Sequence, residues 1–292
     1  MLEQAVLKTV AYADVFDYPL TLPEIQRYLI GEPSRLEKTR EILQYGRLVP
    51  DQLSNLEGHY TLPGRERIIS IHQKRAAVAD ILWPRAFNYG RQISKIPFVR
   101  MVALTGAVAM RNADSGTDLD YLIVTEPSRL WVSRAAVILL VKLAARHGDI
   151  LCPNYFLSEN ALVIKDRNVF TAHELAQMVV IAGSQLYERM LFLNRWMAEY
   201  LPNAQQGITI TNKPNRTHPL LTKFAEFLLR SPAGAWLESW EMGRKIKKFN
   251  SKSQFHPEAD FSADWCKGHF DDHGTKILSA YNERLVMLEE HV

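Results

Sequence analysis

Two apolar segments, separated by a glycine turn and a pair of aspartates, constrain the fold of this chain more than any other feature. The stretch is MVALTGAVAMRNADSGTDLDYLIVT, residues 101–125. Each apolar segment has the length and composition of a buried β-strand, and the residues between them are typical of a connection. Because side chains alternate along a strand, Asp118 and Asp120 face the same side. The sequence therefore predicts two carboxylates that converge at one end of a sheet.

This carboxylate pair requires a compensating charge. Like charges at this spacing raise each other's pKa unless a cation lies between them. Carboxylate oxygens at a strand end are ligands that Mg²⁺ takes beside substrate phosphates. We therefore expect Asp118 and Asp120 to bind Mg²⁺ or Mn²⁺ and to be the catalytic residues, whereas an isolated pair of this kind is more often a solvated strand end.

The glycine turn before the aspartates predicts an anion site. In LTGAVAMRN, residues 104–112, a strand runs into a short helix at Gly106 and Ala107. Amides at such a helix start lack intrahelical acceptors and bind anions, and Gly106 has no Cβ to block a triphosphate. We expect Gly106, Ala107 and Arg111 to bind the phosphates of a nucleotide.

The stretch TGAVAMRNADSGTDLDYLIV resembles the signature of the DNA polymerase β-like nucleotidyltransferase superfamily, a glycine-serine turn followed by an Asp-hydrophobic-Asp strand. The resemblance implies an α/β (α+β) nucleotidyltransferase core in which Gly106 and Ala107 touch phosphate. It also implies that Asp118 and Asp120 hold two metal ions, which activate an acceptor hydroxyl and stabilise the departing pyrophosphate. The implied reaction moves a nucleoside monophosphate from an NTP to a hydroxyl acceptor, with RNA and protein among the acceptors left open.

Two positions depart from the family pattern and keep a second function open. Ala107 stands where the family usually has serine. The family's third carboxylate belongs on the next strand, LCPNYFLS, where Asn154 holds the inward position and is uncharged and a poor base. Asn154 is the candidate third ligand, with Asp149 and Asp166 as fallbacks. The alternative is a catalytically degenerate nucleotidyltransferase that acts as a nucleotide-binding sensor or an interaction and regulatory module.

Hydrophobic periodicity and the positions of turn and helix-capping residues divide the 292 residues into four parts. Residues 1–64 predict three helices and a hairpin, a winged helix-turn-helix arrangement, with Thr21 as a helix N-cap. Residues 65–97 predict a connector helix, and residues 98–170 the nucleotidyltransferase-like core. That core includes a helix capped by Ser128 and a fourth strand at ALVIKDR. Residues 171–292 predict an all-helical C-terminal domain that begins with Thr171 as a cap and contains a loop at GITITNKPNRTHP.

The charge of the N-terminal unit argues against duplex DNA as its partner. Residues 1–64 contain six basic and nine acidic side chains, and the whole chain has a formal charge of only +3. Because phosphate neutralisation supplies most non-specific affinity, we expect a protein-contact or intramolecular module. The remaining alternative is a transcription regulator whose winged helix binds DNA. The basic residues Arg35, Lys38 and Arg40 of the third helix favour this alternative.

Two further patterns have competing interpretations. DWCKGHFDDHG groups Cys266, His269, Asp272 and His273, which we interpret as a polar helix start rather than a metal site. GRKIKKFNSKSQ is a basic run beside Trp236, Trp240 and Phe249, and such a combination suits single-stranded nucleic acid. A solvated helix face with its tryptophans in the core is the commoner explanation. The basic residues of this run are Arg244, Lys245, Lys247, Lys248 and Lys252.

Cysteine usage and the N-terminal sequence predict a soluble cytoplasmic protein. Cys152 and Cys266 are the only cysteines and form no CxxC pattern. The start MLEQAVLKTVAYADVF does not have the pattern of a signal peptide. The longest apolar run, residues 135–141, is far shorter than a membrane span, so we expect no membrane partner.

Overall fold

The chain forms a mixed α/β protein with one five-stranded and one three-stranded sheet. The computed structural model describes residues 1–204, 220–253, 261–267 and 273–290, with the backbone alone at 249–253 and 289–290. Among these residues, no helix combines the length and the apolar character that crossing a bilayer requires.

The N-terminal part contains the three helices and the hairpin that the sequence predicts. Its elements are α1 (Leu2–Asp14), β1 (Leu20–Thr21), α2 (Leu22–Arg27), α3 (Leu36–Tyr45), β2 (Ser54–Leu56) and β3 (His59–Thr61). The strands form an antiparallel sheet in the order β1-β3-β2. Thr21 caps α2 as predicted, in a capping box in which its backbone N–H donates to Glu24 over 2.9 Å.

The central part delivers the chain into the large sheet. Its elements are α4 (Arg67–Ile93), β4 (Val99–Thr105), α5 (Gly106–Ala109), β5 (Leu119–Thr125), α6 (Leu130–Ala145) and β6 (Leu151–Ser158). Strands β4 and β5 are antiparallel, whereas β5 and β6 are parallel because α6 carries the chain back across the sheet. The connector helix and the three strands expected in this part are confirmed.

The C-terminal part is mainly helical, but the expectation that it is all-helical is wrong. Its elements are α7 (Val169–Gln177), β7 (Val179–Ala182), α8 (Ser184–Leu193), α9 (Met197–Tyr200), α10 (Leu220–Leu229), α11 (Pro232–Ser253), β8 (Trp265–Lys267) and α12 (His273–Glu290). The large sheet has the order β7-β4-β5-β6-β8, so its two edges come from this part. Strands of four and three residues are too short to be distinguished from helix by periodicity.

The predicted strand at ALVIKDR is absent. Residues 161–167 are irregular, because β8 occupies the edge of β6 that this segment would need. Its apolar side chains Leu162 and Ile164 are buried in the core instead. The predicted loop GITITNKPNRTHP lies outside the described residues.

Two predicted helix caps are also wrong. Asn168 caps α7, and the backbone N–H of Thr171 donates to its side chain over 2.9 Å. The helix predicted to be capped by Ser128 starts at Leu130, and its N–H groups are satisfied from a distant element. The buried carboxylate of Glu238 in α11 accepts from the N–H groups of Trp131 (2.8 Å) and Val132 (2.7 Å).

The two faces of the large sheet are covered by different helices. One face buries Leu104, Tyr121 and Ile123 under α4 and α6. The opposite face buries Ala103, Leu122 and Val124 under α7 and α8. Asp120 shares the alternation of Leu122 and Val124, so its carboxylate belongs to the face that α7 covers.

Candidate functional site

Asp118 and Asp120 meet at the start of β5, as the alternation predicts. Asp118 directly precedes the strand and Asp120 is its second residue. Candidate ligand atoms of Asp118, Asp120 and Cys152 all lie within 4.8 Å of one another, and all three residues are half-buried. These three side chains form a candidate metal-binding triad, of which sequence reasoning identified the two aspartates.

The glycine turn packs directly against Asp120. Strand pairing places Thr105 of β4 opposite Asp120, so Gly106 follows immediately beside the carboxylate. Gly106 has a φ of +66°, and a Cβ at this position would overlap the Asp120 carboxylate. Both the backbone conformation and the close approach therefore require glycine here. Gly106 and Ala107 line the same cavity as Asp120.

Asn154 reaches the site from β6 and contacts Asp120 through its amino group. Its Nδ2 donates to Asp120 Oδ1 over 2.5 Å, and its Oδ1 accepts from the Cys152 thiol over 2.7 Å. The structure thus brings the predicted third-ligand residue to the pair, where it holds one carboxylate in place. Its role as a metal ligand stays a prediction.

Burial and mutual repulsion disfavour the ionised forms of the side chains at this site. Burial, followed by the charge of Asp118, raises the pKa of Asp120 to about 8, although the hydrogen bond from Asn154 acts in the opposite direction. Burial and the two neighbouring aspartates raise the pKa of Cys152 to about 12. A bound divalent ion would reverse this balance, because it would stabilise the ionised ligands.

The site opens into a cavity of about 820 Å³ between the sheet, α7, β8 and the start of α12. Its carboxylate and amide groups belong to Asp120, Asn154, Asp166, Asn168 and Glu174 of α7. Burial raises the pKa of Glu174 to about 7. The indole N–H of Trp265 in β8 also borders the cavity and has no hydrogen-bond acceptor among the described residues.

Sequence reasoning missed Cys152 and Glu174. Cys152 carried a usable signal, since it lies two residues before Asn154 on a predicted strand and therefore shares its face. No sequence signal pointed to Glu174, because its position in the site depends on how α7 packs against the sheet.

Three residues considered for the site have other partners. Arg111 pairs with Asp80 of α4 at 2.5 Å on the surface and lines a separate cavity. Asp149 is held by Arg85 (3.0 Å) and Tyr89 (2.8 Å). Asp166 borders the large cavity and pairs with Lys267 at 3.3 Å. The structure therefore does not bring Arg111 or Asp149 to the aspartate pair.

The cysteine-histidine cluster is only partly described. Cys266 is buried in β8, paired with Phe156 in the core. His273 begins α12 and borders the large cavity. His269 and Asp272 lie outside the described residues.

The basic run lies on α11, and one part of its preferred interpretation is wrong. Trp236 and Trp240 are 66% and 50% exposed rather than buried in the core, and their rings stack with centroids 6.2 Å apart. Arg244 lies over the Trp240 ring at 5.2 Å and pairs with Glu241. The side chains of Phe249 and Lys252 lie outside the described residues.

Asp120, a member of the candidate metal-binding triad, thus lies with the glycine turn and Glu174 around one cavity large enough for a small organic substrate. No protein-family model, curated protein or solved structure matches the chain.

Proposed function

We propose that this protein is an Mg²⁺-dependent nucleotidyltransferase that moves a nucleoside monophosphate from an NTP to a hydroxyl acceptor. The observation that carries the proposal is the contact between Gly106 and Asp120, the second residue of the Asp118–Asp120 pair, in the wall of a large cavity. Asp118 and Asp120 would hold the metal, and the backbone of Gly106 and Ala107, which lines the same cavity as Asp120, would bind the triphosphate of the donor.

The donor set favours a hard cation. Two carboxylates are ligands suited to Mg²⁺ or Mn²⁺, which we propose as the cofactor. The thiol of Cys152 has a pKa of about 12 and is protonated at neutral pH, so it is a poor ligand for such an ion. Asp118 and Asp120 therefore have the metal-binding role, and Cys152 and Asn154 support them.

The reaction needs a group that takes the proton of the acceptor hydroxyl. In the transfer, the acceptor oxygen forms a bond to the α-phosphorus, the bond from that phosphorus to pyrophosphate breaks, and the hydroxyl proton leaves. Asn154 cannot take this proton, because it is uncharged and engaged with Asp120 and Cys152. Glu174 borders the same cavity, and its pKa of about 7 suits a general base at neutral pH.

We propose that the N-terminal part is a winged helix with an intramolecular role. The order α1-β1-α2-α3-β2-β3 supports this fold. Asp14 pairs with Arg65 (2.7 Å) and Arg284 (2.9 Å), and Asp17 pairs with Arg65 (2.5 Å). Acidic side chains of this unit thus bind basic residues of the same chain, which supports an internal contact over duplex DNA.

The second candidate is a degenerate nucleotidyltransferase that binds nucleotide as a sensor or regulatory module. The observation that favours it is Asn154, which occupies the position of the expected third carboxylate and uses both ends of its amide within the protein. Such a protein would bind a metal-nucleotide complex without transferring it, and the N-terminal unit would relay the signal.

One experiment separates these candidates. The protein is incubated with radiolabelled NTPs, Mg²⁺ or Mn²⁺ and pooled small-molecule, RNA and protein acceptors, together with the Asp118→Asn/Asp120→Asn double variant. Asp149→Asn is the matched control, since it removes a carboxylate outside the cavity. Label transfer that the double variant loses and the control keeps supports the enzyme. Metal-dependent NTP binding without transfer favours the sensor, and absence of both binding and transfer contradicts both.

A further inference from the structure

A second cavity of about 310 Å³ adjoins the candidate site on the side of the N-terminal part. It shares part of its wall with the large cavity, including Gly106, Ala107, Phe170 and Glu174. Aromatic rings from several elements also line it. They belong to Tyr12, Phe16, Tyr18, Tyr28, Phe170, His173 and His273. We call this cavity the aromatic cleft.

Contacts from the central part hold the N-terminal wall of the aromatic cleft in place. The carbonyl oxygen of Phe16 accepts from Arg75 of α4 over 3.2 Å and from Asn112, in the loop after α5, over 2.9 Å. The ring of Tyr12 stacks on His173 of α7 with centroids 3.9 Å apart. The wall is therefore tied both to the glycine-turn connection and to the helix that carries Glu174.

The charges of the aromatic cleft make it unsuitable for phosphates. Burial lowers the pKa of His173 to about 4, so its imidazole is neutral at physiological pH. The guanidinium of Arg75 is paired with Asp114 at 3.0 Å and with Asp17 at 3.7 Å. A neutral flat group between aromatic rings is the ligand that fits such a wall.

The position of the aromatic cleft indicates that it binds a part of the substrate that does not react. Asp120 and Asn154 border the large cavity and do not line the cleft. An acceptor hydroxyl must reach the phosphorus beside the metal pair, and so it belongs in the large cavity. The cleft includes Gly106 and Ala107, where the donor phosphates are proposed to lie, but neither Asp118 nor Asp120.

We infer that the aromatic cleft binds the nucleobase of the NTP, stacked on the rings of Phe16, just after α1, and Phe170 of α7. This inference rests on the proposed function, because the glycine turn must hold the phosphates of the same molecule. The N-terminal part then completes the substrate site, which gives its contact with the core a direct role in nucleotide binding.

The test compares an NTP with the same phosphate chain lacking a base. Equilibrium binding to the full-length protein is measured in Mg²⁺ for α,β-methylene analogues of the four common NTPs and for inorganic tripolyphosphate. Phe16→Leu and Phe170→Leu each keep apolar volume but remove a ring. Phe192→Leu is the control, since this ring is exposed and lines neither cavity.

We expect each cleft variant to weaken binding of the preferred NTP analogue about tenfold, the order of one base-aromatic stack. Tripolyphosphate affinity should not change, and Phe192→Leu should bind both ligands like the wild type. An azido group on the base should cross-link to peptides that contain Tyr12, Tyr18 or Tyr28 upon illumination.

Unchanged NTP affinity in both cleft variants, while the wild type binds tripolyphosphate, overturns the assignment of the cleft and leaves the proposed function standing. An equal loss of NTP and tripolyphosphate also overturns it, because the rings would then act through the fold. A wild-type protein that binds neither ligand in Mg²⁺ overturns the proposed function and the base site together.

Discussion

Gly106 couples a backbone requirement to the chemistry of the candidate site. Its φ of +66° favours glycine at any position in any protein, but its contact with the Asp120 carboxylate is specific to this site. Gly116, in the connection before β5, has a φ of +93° and open space where a Cβ would lie. The two glycines therefore differ in their surroundings while they share the same conformational constraint.

Gly106→Ala should selectively damage metal binding. Gly116→Ala should lower the free energy of unfolding by about 1 kcal/mol, the cost of a left-handed alanine, and Gly106→Ala should lower it by more, because its Cβ also displaces the Asp120 carboxylate. Only Gly106→Ala forces the Asp120 carboxylate to move, so only this variant should lose Mn²⁺ affinity, by about tenfold or more. Urea denaturation and Mn²⁺ titration measure the two effects. Equal Mn²⁺ affinity in both variants would contradict the contact.

Cys152 gives the site a second, softer set of ligands. Because the pKa of the Cys152 thiol is about 12, the thiol stays protonated and only the carboxylates bind Mg²⁺. Cd²⁺, in contrast, binds sulfur strongly enough to displace the proton of the thiol. We expect Cys152→Ser to lose about tenfold or more in Cd²⁺ affinity, together with the sulfur-to-cadmium absorption band, and to keep Mn²⁺ affinity. Cys266→Ala is the control, because that thiol is buried in the core. A cadmium band that survives in Cys152→Ser would refute the triad.

At the scale of elements, the sequence predicts those strands and helices whose formation depends on local hydrophobic patterns. Strands β4 and β5 were predictable because apolar residues occupy both of their faces, and glycine or aspartate residues mark where each strand ends or begins. The alternation within β5 also predicted the aspartate pair. The edge strands β7 and β8 were not predictable. Each is so short that it forms a strand only because it pairs with a neighbour, β7 with β4 and β8 with β6. Glu174 was missed for the same reason, since its place in the site comes from the docking of α7.

The cap of α6 illustrates the same dependence on tertiary structure. Glu238 of α11 accepts two hydrogen bonds from the first turn of α6, and no local residue does so among those described. A carboxylate at a helix N-terminus also interacts favourably with the helix dipole. The cap therefore joins α11 to the helix that makes β5 and β6 parallel.

Glu238→Ala should destabilise the protein by about 2–4 kcal/mol, because it leaves two buried N–H groups without acceptors. Glu238→Gln should cost about 1 kcal/mol, since one side-chain oxygen remains as an acceptor. Urea denaturation followed by far-ultraviolet circular dichroism measures both. If the two variants lost equal stability, the shape of the side chain rather than its acceptors would explain the effect.

At the scale of the whole molecule, the N-terminal part, the core and α12 form one connected structure. Tyr12 of α1 packs with Val169 of α7 and Tyr281 of α12. Asp14 of α1 also joins separate parts of the chain, through Arg65 just before α4 and Arg284 in α12. The acidic balance of residues 1–64, visible in the sequence, thus corresponds in part to internal ion pairs, although the sequence could not identify their partners.

The carboxylates of the large cavity also make the stability of the whole molecule depend on pH and metal. The folded pKa values of Asp120 (about 8) and Glu174 (about 7) lie above those of the unfolded chain, which are close to 4. The folded protein therefore binds more protons than the unfolded chain between those limits. Their stabilising contribution is complete below about pH 4 and is lost as the pH rises through about 7 and 8.

In the presence of EDTA, we expect the part of the unfolding free energy that depends on Asp120 to fall between about pH 5 and about pH 9. It is measured as the difference between wild type and Asp120→Asn in urea denaturation at several pH values. Saturating Mg²⁺ should reverse the trend in the wild type, because the ion binds the ionised carboxylate of the folded state. A difference that rises with pH in EDTA would mean that the carboxylate of Asp120 is stabilised as an anion without a metal.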